Sequence, residues 1–240
     1  MARPIIGILG GMGPAATADL YTKLIAATPA TRDQEHLHVI IWADPSVPDR
    51  TDALLHGGVD PMPLLLRGAR ALAADGADLI AIPCNTAHAF LSALARDVAV
   101  PFLDMMEETA SFVERHHPTI ARVGLLATSG TCQVGLYQEA FARHHVEVIV
   151  PPDALQERCV TAAIRRVKMG DSGAGVTTLL QEAASGLVTR GAEAVITGCT
   201  ELPLVFHDGD AAVPVIDPTA ALAAAIVRRA CASQREDGSR

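Results

Sequence analysis

Short runs of apolar, often β-branched residues alternate along the chain with longer stretches rich in alanine and leucine. The runs have few polar positions, and strands that are apolar on both faces are typical of a parallel sheet covered by helices on both sides. The alternation therefore predicts an α/β fold. The predicted strands are Ile5–Leu9, Val39–Trp42, Leu79–Ile82, Arg122–Leu126, Val146–Val150 and Ala194–Thr197, with short pieces at Val100–Leu103 and Val213–Ile216.

The pattern occurs twice. GADLIAIPCNTAH from Gly76 and GAEAVITGCTELP from Gly191 each place a cysteine eight residues after the glycine. VPFLDM at Val100 matches VPVIDP at Val213, and IIGILGGMGP matches RVGLLATSGT, at nearly the same offset. Matches that share one offset indicate an internal duplication. The sequence therefore predicts two similar α/β halves that face each other.

The repeat also sets the predicted domain boundaries. Residues 1–104 plus 214–240 are expected to form an N-terminal α/β domain, and residues 105–213 a C-terminal one. The last helix, predicted from residue 218 to 231, should pack back on the first domain. Ligands of open α/β sheets bind beyond the carboxyl ends of the strands. Two such ends facing across a cleft would place Cys84 opposite Cys199.

Composition narrows the classes of function. The 240 residues carry a net charge of −8 and no basic run, which argues against nucleic-acid binding. No apolar run approaches the roughly 18 residues that a membrane span needs. The odd number of cysteines, five, and an N-terminus without a cleavage-site pattern predict reduced thiols in the cytoplasm.

Cys84 and Cys199 carry the candidate chemistry, since each follows a predicted strand and precedes small polar residues that can open a helix. A helix N-terminus lowers the pKa of a thiol, which makes it a usable base near neutral pH. Two thiols on opposite faces of one carbon can remove a proton from one side and return it on the other. The alternative for any cysteine is a buried structural role in the core. We assign that structural role to Cys132, Cys159 and Cys231. His88 either assists the Cys84 thiolate or is a histidine that faces solvent or packs against a helix.

Two further features concern ligand binding. The loop Gly10–Pro14 loosely matches a dinucleotide fingerprint, but no acidic residue follows at the required distance, so we interpret it as offering backbone N–H groups to a carboxylate. Arg50 and Lys168 occupy similar positions in the two halves. Two such cations would suit a dianionic substrate, and surface charge is the alternative.

The chain resembles the aspartate/glutamate racemase family, and within it the cofactor-independent aspartate racemases. The motifs that carry the resemblance are GGMGPAAT from Gly10, VPDRT from Val47, IPCNTAH from Ile82, EETA from Glu107, GLLATSGT from Gly124, VKMG from Val167, GCTE from Gly198 and VIDP from Val215.

The resemblance implies two Rossmann-like domains related by a pseudo-twofold axis, with the active site in the cleft between them. It implies an amino-acid substrate, a mechanism without pyridoxal phosphate, and usually a homodimer. The scarcity of lysines and the lack of a metal-ligand cluster in the sequence further predict that no cofactor or metal is needed. Cys84 and Cys199 would be the catalytic base and acid. The residues that would surround the substrate are Met12, Arg50, Asn85, Thr86, Thr128, Thr131, Lys168 and Thr200.

One position departs from the family pattern, because Asp44 stands where members tend to carry a neutral asparagine. A carboxylate there would repel an acidic substrate unless Arg50 pairs with it. Racemisation of aspartate, glutamate or another amino acid is the leading hypothesis. A related two-cysteine isomerase or decarboxylase, and a non-catalytic small-molecule binding protein, are the alternatives.

Overall fold

Two separate parallel sheets make up the strand framework of the computed structural model, which describes the backbone of residues 3–237 and the side chains of residues 3–232. The first sheet has the order β2-β1-β3 and the second the order β5-β4-β6-β7. The predicted α/β class with parallel sheets is confirmed. The strands are β1 (Ile6–Gly10), β2 (Val39–Ala43), β3 (Leu79–Ala81), β4 (Arg122–Ala127), β5 (Glu147–Ile149), β6 (Ala194–Gly198) and β7 (Val215–Ile216).

The two sheets repeat one arrangement, as the duplication predicts. A central strand, β1 or β4, lies between its two neighbours in each sheet. The predicted strand at Val100–Leu103 is reduced to a single parallel bridge between Phe102 and Ile80, at the place that β7 holds beside β6. β1 and the central part of β4 are fully buried, which explains why these runs are apolar without alternation.

Helices cover both faces of the sheets. They are α1 (Pro14–Ala27), α2 (Arg50–Leu55), α3 (Met62–Ala74), α4 (Leu91–Asp97), α5 (Met105–His116), α6 (Ser129–Val134), α7 (Leu136–Ala142), α8 (Asp153–Leu155), α9 (Ala162–Lys168), α10 (Ala174–Thr189) and α11 (Pro218–Asp237). A π-helical segment, Gln156–Thr161, joins α8 to α9, and short 3-10 helices lie at Asp33–Glu35, Thr86–Phe90 and Leu202–Leu204.

Several helices begin at a polar side chain that caps them. The Asp104 carboxylate accepts hydrogen bonds from the N–H groups of Met106 (2.9 Å) and Glu107 (3.3 Å) at the start of α5. Asp49 caps α2 in the same way, through the N–H of Asp52 at 2.9 Å. Such caps satisfy N–H groups that have no partner inside the helix, and they fix where each helix begins.

The chain crosses between the halves at two helices. α5 follows the first half and packs on α7 of the second, whereas α11 follows β7 and packs on α1 of the first. The packing of the last helix agrees with the prediction, although residues 1–2 and 238–240 of the proposed domain lie outside the described residues. β7 itself pairs with β6, so Val215 and Ile216 belong to the second sheet, whereas the predicted boundary gave them to the first domain. The division into domains otherwise stays a prediction.

Candidate active site

The loops that follow β1, β3, β4 and β6 meet between the two halves and enclose a cavity of about 40 Å³. Cys84 follows β3 and Cys199 follows β6, so each half supplies one thiol to the same cavity. Both cysteines are nearly buried, with 5% and 6% of their surface exposed. The residues that line the cavity are Met12, Asp49, Arg50, Thr51, Cys84, Asn85, Thr86, Thr128, Lys168, Cys199, Thr200 and Glu201.

The structure thus brings together every residue of the predicted site except Thr131. Thr131 is fully buried one layer behind the cavity. Its hydroxyl lies 2.9 Å from that of Thr86 and 3.0 Å from that of Thr128, and the Thr86 and Thr128 hydroxyls are 2.9 Å apart. This triangle of hydroxyls ties the turn after Cys84 to the start of α6 across the cleft.

The loop after β1 approaches the neighbouring strand closely. Gly11 has a φ of +94°, and a Cβ on it would lie 2.4 Å from the backbone nitrogen of Asp44. Only glycine fits this combination of a left-handed backbone and a close approach. The loop is therefore held against the end of β2, where Met12 reaches the cavity and its carbonyl lies near Arg50.

Cys199 has a carboxylate partner that the sequence interpretation missed. Its Sγ donates a hydrogen bond to Oε2 of Glu201 at 3.0 Å, and Glu201 is only 4% exposed. Burial and the charge of Glu201 together raise the pKa of Cys199 well above its ordinary value, although Lys168 opposes the shift. The expectation of a lowered thiol pKa is wrong for Cys199, because the residues after it form only the short 3-10 helix Leu202–Leu204, and burial outweighs so short a dipole.

Cys84 is followed by the 3-10 helix Thr86–Phe90, and His88 on that helix holds the turn in place. The N–H of Met105 donates to His88 Nε2 at 3.1 Å, so that nitrogen is unprotonated. His88 Nδ1 must then donate to the Cys84 carbonyl, at 2.9 Å. His88 is buried, and its ring joins the Cys84 turn to the start of α5 rather than activating the thiol.

Arg50 is almost buried, at 8% exposure, and three backbone carbonyls orient it. Nη1 donates to the carbonyls of Val47 (3.1 Å) and Pro48 (2.9 Å), and Nη2 approaches that of Met12 at 3.4 Å. Nε has no hydrogen-bond partner although it is buried. A buried guanidinium N–H without a partner is costly, which indicates a place for an anionic ligand.

The expected interference from Asp44 is absent. Its carboxylate accepts hydrogen bonds from the backbone N–H of Ser46, at 2.9 Å, and from the Ser46 hydroxyl. These bonds lower the pKa of Asp44 and turn its charge toward the local turn. Asp44 does not line the cavity, and the cation whose charge helps to lower its pKa is Arg67 rather than Arg50.

Asn85 is oriented by a buried tyrosine. The Tyr137 hydroxyl donates to Asn85 Oδ1 at 2.6 Å, and Asn85 Nδ2 has no partner although it is buried. Asn85 therefore holds an unused donor at the cavity.

Lys168, at the end of α9, stands at the mouth of the cavity. Partial burial lowers the pKa of its ammonium, but the charges of Glu201, Cys199 and Cys84 outweigh that effect and the pKa is raised. Lys168 is thus a firmly charged cation beside both thiols, on the opposite half from Arg50.

The other cysteines do not belong to this site. Burial raises the pKa of Cys132 to about 12, and burial together with Glu182 raises the pKa of Cys159. Cys231 is half-buried on α11. All five thiols are free.

Two acidic residues at the cavity, Asp49 and Glu201, were not predicted. Both stand inside motifs of the resemblance, in VPDRT and GCTE, so the signal was present. A carboxylate was not expected beside an acidic substrate. Only the structure shows that Glu201 accepts a hydrogen bond from the Cys199 thiol.

Comparison with known proteins agrees with this geometry. A broad specificity amino-acid racemase, RacX of Bacillus subtilis (strain 168), is 32% identical over 93% of this chain and 96% of its own length. The structure of an aspartate racemase from Picrophilus torridus superposes with a TM-score of 0.82 at 30% identity, covering 95% of this chain and 94% of that one. Glutamate racemase from Francisella tularensis subsp. tularensis SCHU S4 shares the fold, with a TM-score of 0.69 at 20% identity over 97% of this chain and 82% of that one.

No helix in the part of the chain that the structure describes is long and apolar enough to cross a membrane. The sequence profile of the Asp/Glu/hydantoin racemase family matches residues 9–226, nearly the whole chain. The paired thiols, the parallel two-sheet fold and this match lead to one conclusion: the chain belongs to the Asp/Glu/hydantoin racemase family.

Proposed function

We propose that this protein is an amino-acid racemase that inverts the α-carbon of its substrate between Cys84 and Cys199. The observation that carries the proposal is the convergence of one thiol from each half on a single buried cavity. A fold with one thiol there would supply a proton carrier on one face only. Inversion needs a carrier on each face.

The proton balance follows from the site. A thiolate at Cys84 takes the α-proton and leaves a carbanion, and the Cys199 thiol then donates its proton to the opposite face. The reverse reaction starts from the thiolate at Cys199 and the thiol at Cys84. No net proton, electron or group is consumed, and the two thiols exchange protonation states in each turnover. The raised pKa of Cys199 suits the state in which this residue is the acid.

Arg50 and Lys168 are proposed to hold the substrate carboxylates. Arg50 lines the cavity and has a buried Nε without a partner, and Lys168 carries a stabilised positive charge. Two cations suit the two carboxylates of aspartate. An ion pair between the α-carboxylate and one of these cations also makes the α-hydrogen easier to remove. Asn85, Thr86, Thr128 and Thr200 offer polar groups around the same space, Met12 an apolar contact, and Thr131 supports Thr86 and Thr128 from behind.

The test is racemisation in deuterium oxide by Cys84→Ala, Cys199→Ala and the wild type, with Cys132→Ala as the matched control. Both active-site variants should lose inversion by about a hundredfold to ten-thousandfold, because that is the typical contribution of a general acid or base. Each should still exchange the α-proton of a single enantiomer.

Near wild-type inversion by either active-site variant would contradict the two-thiol proposal. Release of carbon dioxide without α-exchange would point to a decarboxylase instead. Tight binding without turnover would indicate a binding protein.

We also propose a homodimer in the cytoplasm. Tyr21 and Ile25 on α1 and Ile41 on β2 are exposed apolar side chains, and β2 is the edge strand of the first sheet. Val39 packs against the cluster that includes Leu20 and Leu24 of α1, so Ile41, two residues further on, faces the α1 side as well. The five free thiols suit a reducing compartment. Sedimentation equilibrium of the wild type and Ile41→Lys tests the dimer, which the charge should weaken.

A further inference from the structure

A groove of about 450 Å³ opens directly from the catalytic cavity. The two spaces share four lining residues, Asp49, Thr51, Thr128 and Lys168. One wall of the groove is α2 of the first half, and the other is the helical segment 153–168 of the second half. The groove therefore lies between the same two halves that carry the thiols.

Size indicates that a substrate uses this groove. Small-molecule sites usually enclose about 300–1,000 Å³. The cavity between the thiols measures only about 40 Å³, enough for a few water molecules. An amino acid with its α-carbon between Cys84 and Cys199 must extend beyond that space, and the groove is large enough for a side chain longer than that of aspartate.

The walls of the groove combine apolar and acidic groups. Leu55 on α2 and Ile164 on α9 face it from opposite sides, which suits a chain of methylene groups. Asp52 on α2 and Glu157 on the π-helical segment add carboxylates further along the same walls. Within residues 3–232, no ion pair engages Asp49, Asp52 or Glu157.

The groove has more carboxylates than lysine and arginine side chains among its lining residues. Lys168 lines both the groove and the catalytic cavity, where its charge interacts with Glu201 and the two thiols. Arg165 and His56 also line the groove, and both are exposed. Three carboxylates thus stand against two cations, Lys168 and Arg165, and a histidine. The two carboxylates away from the catalytic cavity, Asp52 and Glu157, favour a ligand end that is positively charged.

We propose that this groove, between α2 and segment 153–168, receives the side chain of a long basic amino acid, so that the enzyme racemises lysine-like substrates as well as aspartate. The inference rests on the proposed racemase function. In this arrangement the α-carboxylate stays with Arg50, the methylene groups lie between Leu55 and Ile164, and the terminal cation meets Asp52 and Glu157.

The test compares α-deuterium exchange and inversion of L-lysine, L-norleucine, L-aspartate and L-alanine by the wild type. Norleucine has the length of lysine without its ammonium, so the ratio of their kcat/KM values isolates the charge. Lysine should exceed norleucine. Asp52→Asn and Glu157→Gln should each lower that ratio about fivefold, the upper range for a partly exposed charge pair.

Two further variants sharpen the result. Glu139→Gln removes one carboxylate from the exposed surface of α7, outside the groove, and should leave the ratio unchanged. Gln133→Trp places a large ring in the groove from an exposed position on α6 and should lower turnover of lysine relative to alanine.

The failures are distinguishable. Inversion of aspartate without lysine would overturn the groove inference and leave the racemase proposal standing, whereas equal turnover of norleucine and lysine would overturn the charge argument. Absence of α-exchange with every amino acid would overturn both.

Discussion

Glu201 affects the protonation state of Cys199, one of the two thiols proposed to be catalytic. Its carboxylate lies 3.0 Å from the Cys199 sulfur, in a buried place where a second negative charge is costly. Burial and this carboxylate together raise the pKa of Cys199 and favour its protonated form. The other oxygen of the carboxylate, Oε1, is buried without a hydrogen-bond partner, so the group is held there at some cost in stability.

Glu201→Gln should lower the pKa of Cys199, because it removes the nearest negative charge. The alkylation rate of Cys199 by iodoacetamide, followed by mass spectrometry from pH 7 to 10, should rise about tenfold at a given pH if the pKa falls by one unit. Glu193→Gln is the control, since its carboxylate binds the N–H groups of Ala121 and Arg122 far from the site. An unchanged alkylation profile would show that Glu201 does not govern the thiol.

Arg50→Ala should reduce kcat/KM for aspartate. The reduction should correspond to a loss of about 2–5 kcal/mol in transition-state binding, the usual loss when one partner of a buried charge pair is removed. Steady-state kinetics measures the loss, and circular dichroism checks that the variant remains folded despite losing its bonds to Val47 and Pro48. Arg67→Ala, near Asp44, should leave aspartate kinetics unchanged. Equal kinetics for Arg50→Ala and the wild type would place the substrate carboxylate elsewhere.

At the scale of residues, the sequence located most of the lining because the motifs are contiguous and follow strands. It could not show which way side chains turn. Glu201 bends back to the sulfur two residues earlier, and Asp44 turns away from Arg50 toward Ser46. Neither orientation is visible in residue spacing.

At the scale of elements, α5 and α7 are joined by a charged cluster. His144 lies with Nε2 3.0 Å from Glu107 and Nδ1 3.0 Å from Glu114. Burial lowers the pKa of His144, but the two carboxylates outweigh it and the pKa is raised. The protonated imidazole thus joins the turn after α7 to α5, the helix that crosses from the first half.

This cluster should make the α5–α7 contact dependent on pH. A raised folded-state pKa gives stability that is complete below the ordinary value of about 6.5 and is lost as pH rises through the folded value. Urea unfolding at pH 6 and pH 9 should show a loss of roughly 0.5–1 kcal/mol that His144→Gln abolishes. His116→Gln is the control, because the His116 ring contacts the carbonyl and the ring of Phe112. This variant should still lose stability between pH 6 and pH 9.

The strands were predictable because buried parallel strands read as unbroken apolar runs. The turns after the two cysteines were not, because Thr86–Phe90 and Leu202–Leu204 have compositions that α-helices also accept. Whether they form α-helices or 3-10 helices depends on the space beneath them. The strand at Val213–Ile216 was also predicted, but the domain boundary was drawn just before β7, and the pattern of so short a strand does not show that it pairs with β6.

At the scale of the whole molecule, the two halves share one core. A single buried cluster contains Ile6 and Leu20 from the first half and Val123 and Tyr137 from the second. Glu108 on α5 pairs with Arg228 and Arg229 on α11, at 2.8 and 3.2 Å, so the two crossing helices are also joined to each other.

The two halves should therefore unfold together. Fluorescence of Trp42, the single tryptophan, reports on the first sheet, and labelling of the fully buried Cys159 reports on the second half. Both urea transitions should have the same midpoint, as a two-state change requires. Two separate midpoints would show that the halves are independent units despite the shared core.

The contact between Tyr137 and Asn85 has a stereochemical consequence. Burial raises the pKa of Tyr137 well above its ordinary value, so the phenol keeps its proton and fixes which end of the Asn85 amide is oxygen. The free hydrogen-bonding group of Asn85, a residue that lines the cavity, is then an N–H donor, which suits a carboxylate rather than an ammonium. During inversion the hydrogen changes face, and the α-carbon passes through a planar state. A donor of fixed polarity gives both mirror-image substrates one common anchor about which that carbon can flatten and re-form.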